Sequence, residues 1–308
     1  MDLFLGYFYS RVNPYNYKLL KVNKMRYFFL FFMCVGGFVA GAENPSDKYI
    51  KESEDACLEV VYERKMIYDT TLRERKFRRE DVILRIGKNK SMYCSIKRLW
   101  SDSIMEINYP AFHAIQNEHF KKYKGRVLLS GNYWSYIYKD FPNNICKEYE
   151  YFDIERRKYT EELQTPEWTI TDSVKTIIGY ECFKATTDFK GRQWIAWFTP
   201  EIPVSDGPWK LHGLPGLILE AYDISHDYEF DAKGIRTSGL GKVGYMEYDD
   251  YNTYTRDQHM KNWWKYKHEN MAAKMQAAYG IKTSNKPTSE KRIPKYDREE
   301  IDYDHSLK

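Results

Sequence analysis

The 308-residue chain has no apolar run long enough to cross a membrane. Its longest, Phe28 to Val39, is about a dozen residues, against the roughly 18 that a spanning helix requires. Lys21, Lys24 and Arg26 precede that run and Ala40-Gly41-Ala42 follows it, the pattern of a secretory signal peptide. The expectation is therefore a leader over 1–42, a mature start at Glu43 and no transmembrane segment after cleavage. Met25 is the expected start of translation, because the signal peptide is complete from there onward. Cysteine is scarce. Cys34 belongs to the leader, and the four that remain, Cys57, Cys94, Cys146 and Cys182, form no CxxC and stand near no histidine. Zinc and thioredoxin-like chemistry are poor fits, whereas an even count in an oxidising compartment predicts two disulfides, with three connectivities open.

An excess of one charge is also missing. The leader holds five of the 48 basic residues and one of the 44 acidic ones, leaving 43 of each. A balanced domain lacks the electrostatic footprint of a nucleic-acid binder. The seven histidines are scattered with no HxH or HExxH spacing, no GxSxG elbow precedes a helix, and Lys90-Ser91 lacks the two upstream glycines of a phosphate loop. The carboxylate pairs Asp153/Glu155 and Glu161/Glu162 are ordinary for a chain that is 30% charged. No catalytic residue, metal ligand or cofactor site is assigned from sequence.

Aromatic residues are plentiful, at 17%. β-prone runs recur at 57–68, 82–86, 91–96, 126–130, 133–139, 145–154 and 168–170, many bounded by Gly or Asn turn signals. The stretch 43–56 reads as irregular and 111–123 as a short helix. Thr255-Arg256-Asp257-Gln258 has the form of a capping box, and Met260, Trp263, Trp264, Met271, Met275 and Ala278 follow at helical spacing up to Gly280. The predicted fold is mainly β: an antiparallel curved sheet or half-barrel-like single domain over 43–280. It ends in one long amphipathic helix, 255–279, with a polar surface tail over 281–308.

The most ordered stretch is 177–223. Tyr180–Ala185 and Arg192–Phe198 flank Asp188-Phe189-Lys190-Gly191 and predict a hairpin with Trp194 and Phe198 on one face and Ile195 and Trp197 on the other. Gly213-Leu214-Pro215-Gly216 has the composition of a type II turn, Pro fixing φ and Gly taking positive φ, ahead of the apolar strand Leu217–Tyr222. The block Ile178-Gly179-Tyr180-Glu181-Cys182-Phe183-Lys184-Ala185, Gly191-Arg192, Ala196–Pro203, Gly207-Pro208-Trp209-Lys210 and Gly213–Glu220 resembles the GLPGLI family, exported proteins of Bacteroidota without an established activity.

The resemblance implies an exported protein, periplasmic, outer-membrane-associated or extracellular. Many relatives carry a cysteine where Thr187 stands and another near Ala232, which implies that one disulfide has been lost here as a unit. The family's usual ending survives only as Arg292-Ile293-Pro294-Lys295-Tyr296. The turn Gly213, Leu214, Pro215 and Gly216 is read as structural, and Arg192, Trp197, Trp209 and His212 beside it as the candidate partner or ligand surface. The leading expectation is a non-enzymatic component binding an envelope protein or surface polymer. Its rivals are a carrier of a lipid or other apolar ligand and an enzyme acting on a surface polymer.

Overall fold

The computed structural model describes residues 50–67, 75–123, 130–152, 155–246, 250–268 and 298–302. The chain divides into units 1–43 and 44–308, and all described residues belong to the second. The expected leader therefore lies outside the described residues, as do most of the predicted strand 126–130 and the helix residues 269–279.

The elements run β1 (Ile50–Asp55), β2 (Leu58–Ile67), β3 (Phe77–Ile86), β4 (Lys90–Ser95), α1 (Ile96–Ile107), α2 (Tyr109–Tyr123), β5 (Ser135–Asp140), β6 (Ile145–Phe152), β7 (Glu155–Glu162), β8 (Thr169–Ile177), β9 (Tyr180–Phe189), β10 (Arg192–Thr199), β11 (Leu217–Asp223), β12 (Tyr228–Arg236), β13 (Lys242–Met246), β14 (Asn252–Thr253) and α3 (Arg256–His268). Twelve strands form one sheet in the order β14-β7-β6-β5-β4-β3-β2-β12-β11-β10-β9-β8, while β1 and β13 pair separately. Every ladder is antiparallel except β14 with β7. The sheet is open, with β14 and β8 at its edges, so the expected mainly β architecture stands without closure into a barrel.

Period-2 alternation decides what each face carries. Val82, Leu84 and Ile86 of β3 join Val60 and Tyr62 of β2 and Ile137 of β5 in one cluster, together with Trp194, Phe198, Leu219 and Phe230 from the other half of the sheet. Strands far apart in the sheet order thus share one core, which requires the sheet to curl around it. Ile83, Met92, Cys94, Tyr136 and Tyr138 point the opposite way and are covered by α1 and the β1–β13 pair. The segment 43–56, expected to be irregular, thus supplies an ordered strand from Ile50, because pairing with β13 satisfies its backbone.

Two helix starts follow local chemistry. Ser95 accepts from the Arg98 N–H and turns the chain from β4 into α1, so Ile96 opens a helix and does not extend the strand. At Thr255 the capping box is formed: Thr255 Oγ1 accepts from the Gln258 N–H at 3.2 Å and Gln258 Oε1 from the Thr255 N–H at 3.0 Å. Met260 and Trp263 are buried one helical turn further on.

The four cysteines are free thiols, not the two expected disulfides. Cys94 lies across from Tyr136 and Tyr136 across from Tyr149, three residues from Cys146. An odd offset puts Cys146 on the opposite face, two strands (about 9.5 Å) across and three residues (about 10 Å) along. Burial raises all three enclosed thiols, Cys146 to about 12 and Cys182 to about 11, which leaves them inert.

Candidate functional site

On β6 the face that carries Cys146 continues with Glu148 and Glu150, and on β7 with Tyr159 and Glu161. The inner surface therefore changes from apolar to charged at this end of the sheet. Glu148 stands directly opposite Tyr159, whose hydroxyl donates to it at 2.6 Å.

Into this charged patch the loop 206–210 delivers a lysine. Lys139 of β5, completely buried, pairs with Asp206 and donates to the Gly207 carbonyl at 3.0 Å. Trp209 then takes a left-handed backbone conformation, φ +55°, and buries its ring against Trp194 and Phe189. With Trp209 fixed in the core, Lys210 extends to β7. Its ammonium lies 2.6 Å from Glu161, 3.0 Å from Glu300 and 3.3 Å from Glu148, and donates to the Tyr159 oxygen at 2.8 Å. Burial alone would lower the Lys210 pKa, but Glu300, Tyr159, Glu161 and Glu148 outweigh it and hold the group well above its usual value.

Glu300 belongs to the segment read from sequence as a polar surface tail. Instead, Arg298, Glu299 and Glu300 are buried, at 7%, 6% and 1% exposure. Arg298 forks onto Glu148 at 2.6 Å and Glu150 at 2.7 Å and lies over the Trp263 ring. Glu299 accepts from Arg64 of β2 at 2.9 and 2.5 Å. Glu300 bonds Lys210 and Arg256, and Asp302 pairs with Arg256. The backbone is held too. Arg192 donates to the Arg298 carbonyl at 2.9 Å, and the Ile301 N–H donates to the Lys190 carbonyl at 2.9 Å.

The β9–β10 hairpin allows that approach. Lys190 and Gly191, both at positive φ, form its two-residue turn. A Cβ on Gly191 would stand 2.8 Å from Ile301 and 2.9 Å from the Asp302 nitrogen, so only glycine admits the segment. Lys190 reaches Glu161 at 2.8 Å from the same turn.

Three titratable donors, Glu148, Glu150 and His259 of α3, have ligand atoms within 4.8 Å of one another. Arg298 already spans both carboxylates, and His259 Nε2 lies 2.9 Å from Glu150. The cluster is neutralised from within the chain. Burial opposes the charge on Glu150, yet Arg298 and His259 pull its pKa down to about 2.

The sequence-derived candidates separate. Arg192 is in the site. Trp209 and His212 are buried, at 2% and 4% exposure, and offer no surface. His212 Nδ1 lies 3.0 Å from the Lys210 carbonyl, its ring edge meets Phe141, and burial followed by Lys139 lowers its pKa. Trp197 lies half-buried on the other face of the sheet beneath Lys175, 4.2 Å from its ring centroid, beside Glu220. The GLPG turn is not type II: the Gly216 N–H donates to the Leu214 carbonyl at 2.8 Å, a γ-turn centred on Pro215. Gly216 is required by close approach, since a Cβ there would fall 2.2 Å from the Thr199 oxygen.

Residues 187–220 match the model of a family described as a protein of unknown function (Porph_ging). That segment runs from the end of β9 through the hairpin turn, β10, the Asp206–Lys210 loop and the GLPG turn into β11. No curated protein sequence matches the chain. Among solved structures, that of PNGF-II in a P21 space group aligns with a TM-score of 0.45 and 15% identity, covering 69% of this chain and 34% of that one. PNGF-II in a C2 space group gives 0.42 and 17%, covering 68% and 33%. The chain spans about a third of the length of the structures it matches.

Sequence reading missed Glu148, Glu150, Tyr159, Lys210, Arg256 and the segment 298–302. The one signal was Lys210, which lies within both the resemblance block and the matched segment.

Proposed function

We propose that the chain is a GLPGLI-type exported protein of the bacterial envelope that acts by binding another macromolecule and not by catalysis. One observation carries this reading. Around Lys210 four acids, Glu148, Glu150, Glu161 and Glu300, face four cations, Lys190, Lys210, Arg256 and Arg298, and each is paired. A catalytic acid or base has its pKa tuned to lie near the working pH, whereas these groups are matched in charge and engaged in holding a polypeptide segment. Trp194, Trp209, Phe230 and Tyr93 fill the middle of the curled sheet, which favours binding at the charged end over carriage of a lipid inside. Crosslinking pull-down from native envelopes, read by mass spectrometry, tests the binding claim, with crosslinks expected near β6, β7 and the β9–β10 hairpin. Recovery of the chain without any reproducible partner would count against it. N-terminal sequencing of native material tests export, with Glu43 expected as the first residue and an intact apolar segment refuting it.

A further inference from the structure

We propose that Lys139 and Asp206 condense into an intramolecular isopeptide bond, a covalent link between β5 and the loop 206–210. The inference is separate from the binding reading above and concerns how that loop is locked onto the inner face of the sheet.

The pair is dry. Lys139 follows Ile137 on the inward face of β5, stands opposite Cys146 of β6 and is completely buried, and Asp206 is 1% exposed. Among the described residues each is the other's sole ionic partner. Asp206 and His212 face each other across a β-bridge, but burial followed by Lys139 lowers the His212 pKa, so the imidazole brings no second cation to the carboxylate. Backbone bonds hold the acid still. The Asp206 N–H donates to the Val204 carbonyl at 2.9 Å, and its carbonyl accepts from the Ile218 N–H at 3.0 Å. A Cβ on Gly207 would stand 2.8 Å from Ile218, so the residue that follows the acid has room only as glycine.

The polar contacts of the pair already match those of an amide. The Gly207 N–H donates to Asp206 Oδ1 at 2.7 Å, and Lys139 Nζ donates to Oδ1 and, at 3.0 Å, to the Gly207 carbonyl. Oδ2 is buried with no hydrogen-bond partner among the described residues. An ion pair enclosed in this way carries the desolvation cost of two charges and of an orphaned acceptor. Condensation removes all three. Oδ1 becomes the amide oxygen, still held by the Gly207 N–H, and the one hydrogen left on Nζ still donates to the Gly207 carbonyl.

The step needs no oxidant and no cofactor. The ammonium passes one proton to Oδ2 of the carboxylate, which leaves a neutral amine facing a neutral acid. Nζ attacks the carboxyl carbon, and the Gly207 N–H stabilises the negative charge that gathers on Oδ1. The bond from that carbon to Oδ2 then breaks, and Oδ2 departs as water with its proton and a second one from Nζ. Because the reactants are held together by the fold, the reaction is unimolecular and pays no encounter entropy. The product closes a covalent ring between residues 67 apart in sequence, which constrains the unfolded chain as a disulfide would.

Denaturing mass spectrometry of the full chain, purified as expressed and with its N-terminus sequenced, tests this. The mass should fall one water short of the sequence, and a digest should yield a branched peptide joining the stretch around Lys139 to that around Asp206. Asp206→Asn should form the same branch with loss of one ammonia instead. Lys139→Arg, whose guanidinium keeps the charge but does not condense, should have its full mass and run more slowly on a denaturing gel for want of the internal ring. A wild-type chain at full mass, with both residues recovered in separate unbranched peptides, would overturn the proposal. So would a deficit of one water without a branch, which would place a succinimide at Asp206-Gly207.

Discussion

Replacing Lys210 by methionine removes the central charge of the ion network while keeping most of the side chain's length and apolar volume. Three carboxylates lie within 3.3 Å of its ammonium, so the substitution removes one cation from three acids at once. Breaking a buried ion pair from one side costs about 3–5 kcal/mol. The lower end applies here, because Glu148 keeps Arg298, Glu161 keeps Lys190 and Glu300 keeps Arg256. About 3 kcal/mol is a large part of a typical domain's stability of roughly 5–15 kcal/mol, and at this chain length it lowers Tm by about 6–12 °C. Guanidinium unfolding followed by tryptophan fluorescence reads the loss at pH 7. The sign with pH is fixed by linkage. Burial raises the Glu300 pKa, but Lys210, then Arg256 and Arg298, hold it below its usual value. Its contribution is therefore complete above the unfolded-state pKa and disappears as pH falls through the folded value. In Lys210→Met that depression is smaller, so the variant has less to lose on acidification, and its gap from the wild type should narrow between pH 7 and pH 3. A loss below about 1 kcal/mol, or a gap that stays constant with pH, would refute the view that this ion network supports the fold.

The wild-type chain should itself lose stability between about pH 4.5 and pH 2 as Glu150 protonates, by about 3 kcal/mol from that group alone, and acid titration of the unfolding midpoint checks it. Gly216→Val should cost about 1–3 kcal/mol, since its Cβ meets backbone atoms of Thr199 that cannot move aside, and thermal melts would expose an error. Trp209→Ala should destabilise by about 3–5 kcal/mol and not merely weaken binding, because its ring lies in the core against Trp194; an unchanged Tm would contradict that. Alkylation of the unreduced, unfolded protein should label Cys57, Cys94, Cys146 and Cys182, and a digest peptide linking Cys94 to Cys146 would overturn their separation.

Local signals were legible in the sequence wherever a few neighbouring residues decide the outcome. The capping box at Thr255, the hairpin through Lys190-Gly191 and the alternation of Trp194 and Phe198 against Trp197 are all of this kind. The buried ion network was not legible, for a physical reason. In Ile145–Phe152 acidic and aromatic residues alternate, and alternation assigns the acids to water. Glu148 is instead buried, because its counter-charges arrive from Lys210 and Arg298, 62 and 150 residues further along. The tail failed in the same way: polar composition reads as solvated, and only the fold reveals that each charge between Arg298 and Asp302 has a partner waiting. Trp209 and His212 looked like surface because the turn residues around them suggested an exposed loop, yet the Lys139–Asp206 pair draws that loop inward.

The order of the twelve-stranded sheet also constrains how the chain assembles. From β2 to β7 and from β8 to β12 each strand pairs with its neighbour in sequence, and a single non-sequential ladder, β2 with β12, joins the two runs. Each run consists of short-range contacts whose loop-closure cost is small, whereas that one seam must wait for more than 160 residues of intervening chain. A chain emerging from its N-terminus can therefore zip up its first arm early but holds an unpaired β2 edge until β12 arrives. Residues 298–302, further along still, then add Arg298 and Glu300 to the ion network. Seam and ion network thus both wait on residues far down the chain from β2.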